Sequence, residues 1–144
     1  MPTREATTDW TGTLEQGSGS VALVSSGLAT FDVSFPRRAA DTADGVTSPE
    51  ELIAAAHTAC YAMQFSALVA AAGGTPVGVQ VSAKVGLGLD PAGGFRLTGI
   101  DLTVRPTVEG LDADAVRGVA EQAKASCPVS KALTGVEISL TVEV

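Results

Sequence analysis

Only two cysteines and one histidine occur in the 144 residues. Cys60 and Cys127 are too few for the disulfide framework that staples a small secreted scaffold. Positive charge is also scarce: nine Lys and Arg stand against sixteen Asp and Glu, for a net charge of −7. That balance offers no general attraction to phosphate backbones or anionic lipid, so neither nucleic acid nor a membrane is an expected partner. The first fourteen residues hold Arg4, Glu5 and Asp9 and no apolar run, so no secretory leader or lipidation motif is expected and the expected compartment is the cytoplasm. A Walker loop, a dinucleotide fingerprint after a strand and a G-x-S-x-G elbow are all missing. Sixteen glycines show no three-residue period, which excludes collagen.

What remains is an ordinary globular composition, 45% hydrophobic and 17% charged, in a chain long enough for one core. Without repeats or linkers, a single domain over residues 1–144 is expected. Trp10 to Leu14, Ser20 to Ser25 and Phe31 to Phe35 cluster β-favouring residues between glycines and read as a meander of short strands. Arg37 to Val46 has no apolar periodicity and reads as an exposed loop.

Ser48-Pro49-Glu50-Glu51 is a helix start, with a side-chain cap, a proline at the first helical position and a glutamate at the capping-box position. The helix should run to about Ala72, where Gly73-Gly74 stops it. Its apolar surface goes all the way round, which suits a membrane span or the central helix of a core. Many alanines, no flanking basic cluster and strand-like sequence on both sides favour the central helix. Val77 to Leu89 and Phe95 to Val108 alternate around an Asp90–Gly94 turn, as a long hairpin does. A second helix starts near Asp112, Pro128 disturbs it, a short helix should follow to Leu133, and Val136 to Val144 forms a last strand. The expected class is α+β in the order βββ-α-ββ-α-β, an antiparallel sheet with a long central helix and a second helix.

Chemistry concentrates on three side chains. His57 lies three positions before Cys60 on one helix face, so a Cys–His pair is geometrically possible. His57, Cys60 and Cys127 could instead ligate a thiophilic metal or serve a non-enzymatic redox module. The third option is a thiol pair: apolar surroundings would raise the Cys60 pKa unless a cation is near, whereas Cys127 precedes Pro128 at a helix start that favours a thiolate.

The segments Thr47 to Cys60 (TSPEELIAAAHTAC) and Ala123 to Leu133 (AKASCPVSKAL), with Trp10 and the Gly17 to Ser20 stretch, closely resemble the OsmC branch of the OsmC/Ohr family of thiol peroxidases. The resemblance implies an intertwined α+β homodimer that reduces organic hydroperoxides, and hydrogen peroxide less well, with no cofactor or metal. It makes Cys60 the peroxidatic thiol, Cys127 the resolving thiol and Glu50 the carboxylate that orients an arginine. The Leu14 to Gly19 stretch, where Ohr-type members carry that arginine, has no basic residue, so the branch pattern points to Arg38, in preference to its neighbour Arg37. The implied cycle runs through a Cys60 sulfenate and a Cys60–Cys127 disulfide that an external dithiol, such as a lipoylated protein, recycles. Phe65, Met63 and Leu52 are the expected apolar walls for the substrate's alkyl tail. Ten residues of helix put Glu50 roughly 15 Å from Cys60, so the expected site takes Glu50 and Arg38 from the opposite subunit.

Overall fold

The structure, a computed structural model, describes residues 1–144. Its elements are β1 (Thr7–Thr11), β2 (Ser18–Ala22), β3 (Thr30–Val33), α1 (Phe35–Arg38), α2 (Pro49–Ala71), β4 (Thr75–Leu89), β5 (Phe95–Glu109), α3 (Ala113–Ser126), α4 (Pro128–Ala132) and β6 (Ile138–Val142). They form two compact units, Met1–Leu52 and Ile53–Val144.

In the first unit, β1, β2 and β3 make an antiparallel sheet in sequence order. The strands sit earlier in the chain than their β-favouring clusters suggest. β1 stops at Thr11 because Gly12 takes φ +92°, and the following turn closes through the Gly17 N–H donating to the Thr13 carbonyl at 2.7 Å. Leu14 therefore lies in an exposed turn. The expected loop from Arg37 is corrected at its start, since Phe35–Arg38 is a helical turn. Ser34 accepts from the Arg37 N–H there, and Pro36 supplies a preset φ. So short a turn has no hydrophobic period to betray it.

The second unit is built on the hairpin β4–β5, whose turn uses Gly93 and Gly94 at φ +103° and +79° and an Asp90 side chain that accepts from the Ala92 N–H. β6 joins the other side of β5 in parallel register, Ile100 opposite Ile138 and Val104 opposite Val142. The expectation of a wholly antiparallel sheet is thus overturned. The chain leaves β5, passes through α3 and α4, and returns in the same direction; only a crossover of that length permits parallel pairing.

Tyr61, Phe65 and Val69 from α2, Ile100, Leu102 and Val104 from β5, and Val116, Val119, Ala120 and Ala123 from α3 form one buried cluster. Tyr61 and Phe65 stack with centroids 6.3 Å apart, and the Tyr61 hydroxyl donates to the Ala120 carbonyl at 2.8 Å. These contacts fix how α2 is rotated about its axis. α2 is long and apolar enough by composition to cross a membrane, yet one of its faces is this core. Its other face, along Ala55, Ala59, Met63, Ala67 and Ala70, is exposed.

Gly17 is held closely in the first unit. A Cβ there would stand 2.6 Å from the Thr11 carbonyl oxygen and 2.9 Å from Trp10 Cζ2, besides striking the Thr13 carbonyl. Gly17→Ala should therefore destabilise this unit by about 1–3 kcal/mol, since backbone atoms have to give way. Fluorescence of Trp10, the only tryptophan, should report an earlier urea midpoint in the variant.

Candidate functional site: an arginine–carboxylate pair and a thiol pair

At the start of α2, Ser48 Oγ accepts from the Glu51 N–H at 3.2 Å, and Thr47 Oγ1 donates to the Glu51 carboxylate at 2.5 Å. This cap leaves Glu50 in the first helical turn, where unsatisfied N–H groups favour negative charge. Glu50 is buried, and Arg38 reaches it with Nε 3.1 Å from both carboxylate oxygens and Nη2 2.7 Å from Oε1. Burial opposes the Glu50 charge, but the bonds from Arg38, its own backbone N–H and Ser48 outweigh it and hold the carboxyl below its ordinary range. The Glu50 bond raises the Arg38 pKa in turn. Arg37 faces elsewhere and pairs with Asp44 at the exposed surface.

Arg38 also lines an apolar cleft of about 380 Å³ with Trp10, Val21, Phe35 and Leu52. Of the expected substrate walls, Leu52 is at this cleft, Met63 is exposed, and Phe65 is corrected to a core residue stacked on Tyr61. A larger cleft of about 440 Å³ on β4–β6, around Lys84, Asp101 and Glu137, contains neither cysteine nor arginine.

In the second unit, the Cys60 and Cys127 sulfurs lie 3.1 Å apart as free thiols. Cys60 projects from the middle of α2 and is partly exposed, whereas Cys127 is fully buried. Pro128 produces the approach: the residue before proline avoids helical geometry, and Cys127 takes ψ 124°, closing α3 and opening α4. Burial pushes the Cys60 thiol up, and its bond to Cys127 pushes it further. Burial also works against ionisation of Cys127, but donors from the Ser130 backbone, the Cys60 thiol, the Ser130 hydroxyl and the Val129 backbone overcome it and lower its pKa. The surroundings thus favour ionisation of Cys127 over that of Cys60. No cation figures among the influences on Cys60.

His57 does not meet either sulfur. It is fully buried, its Nε2 lies 2.8 Å from Ser130 Oγ, and its Nδ1 has no partner. Burial lowers its pKa, which keeps it neutral. No group of three His, Cys, Asp or Glu side chains converges as a metal-ligand set. Ser130 is the site residue that sequence reasoning passed over. Its signal was the spacing C-P-V-S, which puts a hydroxyl one helical turn after the cysteine.

Because Glu50 binds its proton less readily folded than unfolded, the Arg38 pair stabilises the protein above the unfolded carboxylate pKa and loses that effect as the pH falls through the lower folded value. Glu50→Gln should therefore unfold at lower urea than the parent at neutral pH. The difference should close at acid pH, below the ordinary carboxylate range.

Residues 42–143 match the family described as OsmC-like protein. The chain is 39% identical over 131 residues to Peroxiredoxin OsmC of Escherichia coli K12, covering 91% of this chain and 89% of that one. It is 35% identical over 116 residues to the organic hydroperoxide resistance protein OhrA of Bacillus subtilis, covering 79% of each. Among solved structures, the organic hydroperoxide resistance protein OsmC of Legionella pneumophila superposes with a TM-score of 0.80 at 28% identity, covering 100% of this chain and 98% of that one. With two sulfurs in contact and these likenesses over most of its length, the chain belongs to the OsmC/Ohr family of proteins that reduce organic hydroperoxides through thiols, and is a thiol-dependent peroxidase.

Proposed function

We propose that this protein reduces organic hydroperoxides to alcohols in a two-cysteine cycle, as a single functional domain acting in the cytoplasm. The observation that carries the reading is the 3.1 Å separation of two free sulfurs, closer than non-bonded contact and about 1 Å longer than a disulfide. Cys60, the more accessible of the two, is the attacking sulfur. Its thiolate attacks the distal peroxide oxygen, which it keeps; the O–O bond breaks, the alkoxide leaves and takes a proton, and Cys60 becomes a sulfenic acid. The Cys127 thiolate then attacks that sulfur and expels hydroxide, forming the Cys60–Cys127 disulfide. An external dithiol, for which a lipoylated protein is one candidate, returns both to thiols and is itself oxidised.

The cation that Cys60 needs comes, in this reading, from Arg38. Glu50 fixes the guanidinium through Nε and Nη2, which leaves Nη1 to donate toward a peroxide oxygen. The Arg38–Glu50 pair serves the Cys60 of a partner subunit. In support, α2 has an uncovered face of alanines that a second copy of the helix can meet closely, and an isologous contact places each arginine in the other protomer's site. The apolar cleft beside Arg38 suits an alkyl tail and favours organic hydroperoxides over hydrogen peroxide. A metal-binding or non-enzymatic role for His57, Cys60 and Cys127 finds less support, since His57 is engaged with Ser130 and not with sulfur.

Cys60→Ser should abolish consumption of cumene hydroperoxide, and Cys127→Ser should stop at a sulfenate that dimedone traps. Arg38→Ala should slow the peroxide step on the order of 100-fold, as loss of one preorganised donor does. Mixed Cys60→Ser and Arg38→Ala protomers should regain activity that neither has alone. Turnover by Cys60→Ser would refute the assigned roles, and failure of the mixture to recover would refute the shared site.

A further inference from the structure

We propose that His57 and Ser130 form a donor relay onto Cys127 that makes Cys127 the leaving sulfur when the disulfide is reopened, so that the reducing dithiol attacks Cys60. The inference rests on the two-cysteine reading above and goes beyond it by assigning the direction of recycling and two positioning residues.

The orphaned nitrogen fixes the direction of the relay. A neutral imidazole carries one N–H and one bare nitrogen. With Nδ1 buried and unpartnered, a proton there would be a donor stranded away from water, a rarer and costlier state than an unused lone pair. The proton therefore resides on Nε2, which donates to Ser130 Oγ at 2.8 Å. With its oxygen accepting from His57, the Ser130 hydroxyl keeps its own hydrogen for a second acceptor, and Cys127, one helical turn earlier and also buried, supplies one in its sulfur; such a bond favours charge there. His57 and Cys127 are fully shielded from solvent and Ser130 is 6% exposed, so water does not substitute for either link. His57 comes from α2, while Ser130 and Cys127 sit together at α4; the relay ties the two segments that carry the sulfurs.

Thiol–disulfide exchange is governed by which sulfur can be reached and which leaves more readily. Here both select the same bond polarity. A dithiol thiolate attacks Cys60 Sγ, the S–S bond breaks, and its electron pair passes to Cys127 Sγ, where the Ser130 hydroxyl receives the charge. The second thiol of the reductant then attacks the sulfur bound to Cys60. It releases the Cys60 thiolate and leaves the reductant as its own disulfide.

Other titratable groups around this relay are Cys60 and Tyr61 on α2, Glu121 on α3, whose charge acts on Tyr61, and Lys124 and Lys131, which share a groove with Ser130. None of these is altered by the variants of Ser130 and His57.

The test uses protein whose disulfide has been closed with diamide, so that it does not depend on peroxide turnover. The monothiol N-acetylcysteine opens the bond, acid stops the reaction, and peptide mass analysis locates the adduct. The parent should carry it on Cys60. Ser130→Ala should open about tenfold more slowly and move part of the adduct to Cys127, His57→Leu should do so in the same direction, and Ser130→Thr should restore the parent behaviour. In a Cys60→Ser background, the ultraviolet thiolate absorbance of Cys127 should titrate at higher pH once Ser130→Ala is added. Unchanged rate and adduct position in Ser130→Ala would overturn the relay, as would an unchanged thiolate titration or a disulfide that diamide cannot close. Loss of free thiol on adding cumene hydroperoxide, measured separately in the parent, tells failure of the relay from failure of the peroxidase reading.

Discussion

The chemistry available to the second unit depends on two sulfurs, 67 residues apart in sequence, being held 3.1 Å from each other. Neither helix accomplishes this alone. Stacked Tyr61 and Phe65, with Val69 a turn further on, set the rotation of α2 and hence the direction of Cys60. On the other side, α3 packs through Val116, Val119, Ala120 and Ala123, and Pro128 then forces Cys127 out of helical geometry at the position where its sulfur can meet the first. Truncating one of those core side chains would cost several kcal/mol by ordinary cavity energetics and weaken the frame that holds the two sulfurs together.

Electrostatics is used sparingly and locally. Arg105–Glu143, Arg117–Asp114 and Arg37–Asp44 lie at the surface, where such pairs add little to stability. Arg38–Glu50 differs because the carboxylate is buried and accepts from two guanidinium nitrogens. Removing either partner strands the other, so the pair is better understood as a means of orientation than as a source of stability. His57 and Ser130 follow the same rule: two buried polar groups are tolerated because each satisfies the other, at the cost of one bare nitrogen.

What could be read in the sequence were the features written in local chemistry. Ser48-Pro49 announced the start of α2, Asp112 capped α3 by accepting from the Ala115 N–H as its position suggested, and the Asp90–Gly94 turn declared the hairpin. The Arg38–Glu50 pairing and the Cys60–Cys127 contact were legible only through the resemblance, since nothing local links residues twelve or 67 apart. Direction of pairing was not legible at all: alternation with period two is the same for a parallel and an antiparallel strand, so β6 could not be oriented from Val136 to Val144. The four residues of α1 were too few to show a period. Which sulfur ionises first was half legible, because the helix start after Cys127 hinted at it, but the hydroxyl of Ser130 and its support by His57 exist only in three dimensions.

The division between the sulfurs has a consequence under the reading proposed above. The donors around Cys127 favour charge there, while burial and the bond to Cys127 disfavour it on Cys60, the more accessible sulfur. Cys60 becomes reactive only when a cation draws the charge across a 3.1 Å gap that the proton can cross in the opposite direction. Since the nearest acid–base partner is the other cysteine, the switch needs no solvent. If the cation is a guanidinium held by a carboxylate on a second subunit, reactivity follows assembly: an isolated protomer rests with its accessible thiol protonated, and docking converts it. The same arrangement favours the resolving step, because once Cys60 is oxidised the charge no longer has a competitor and returns to Cys127, whose donors are already in place to hold it until it attacks.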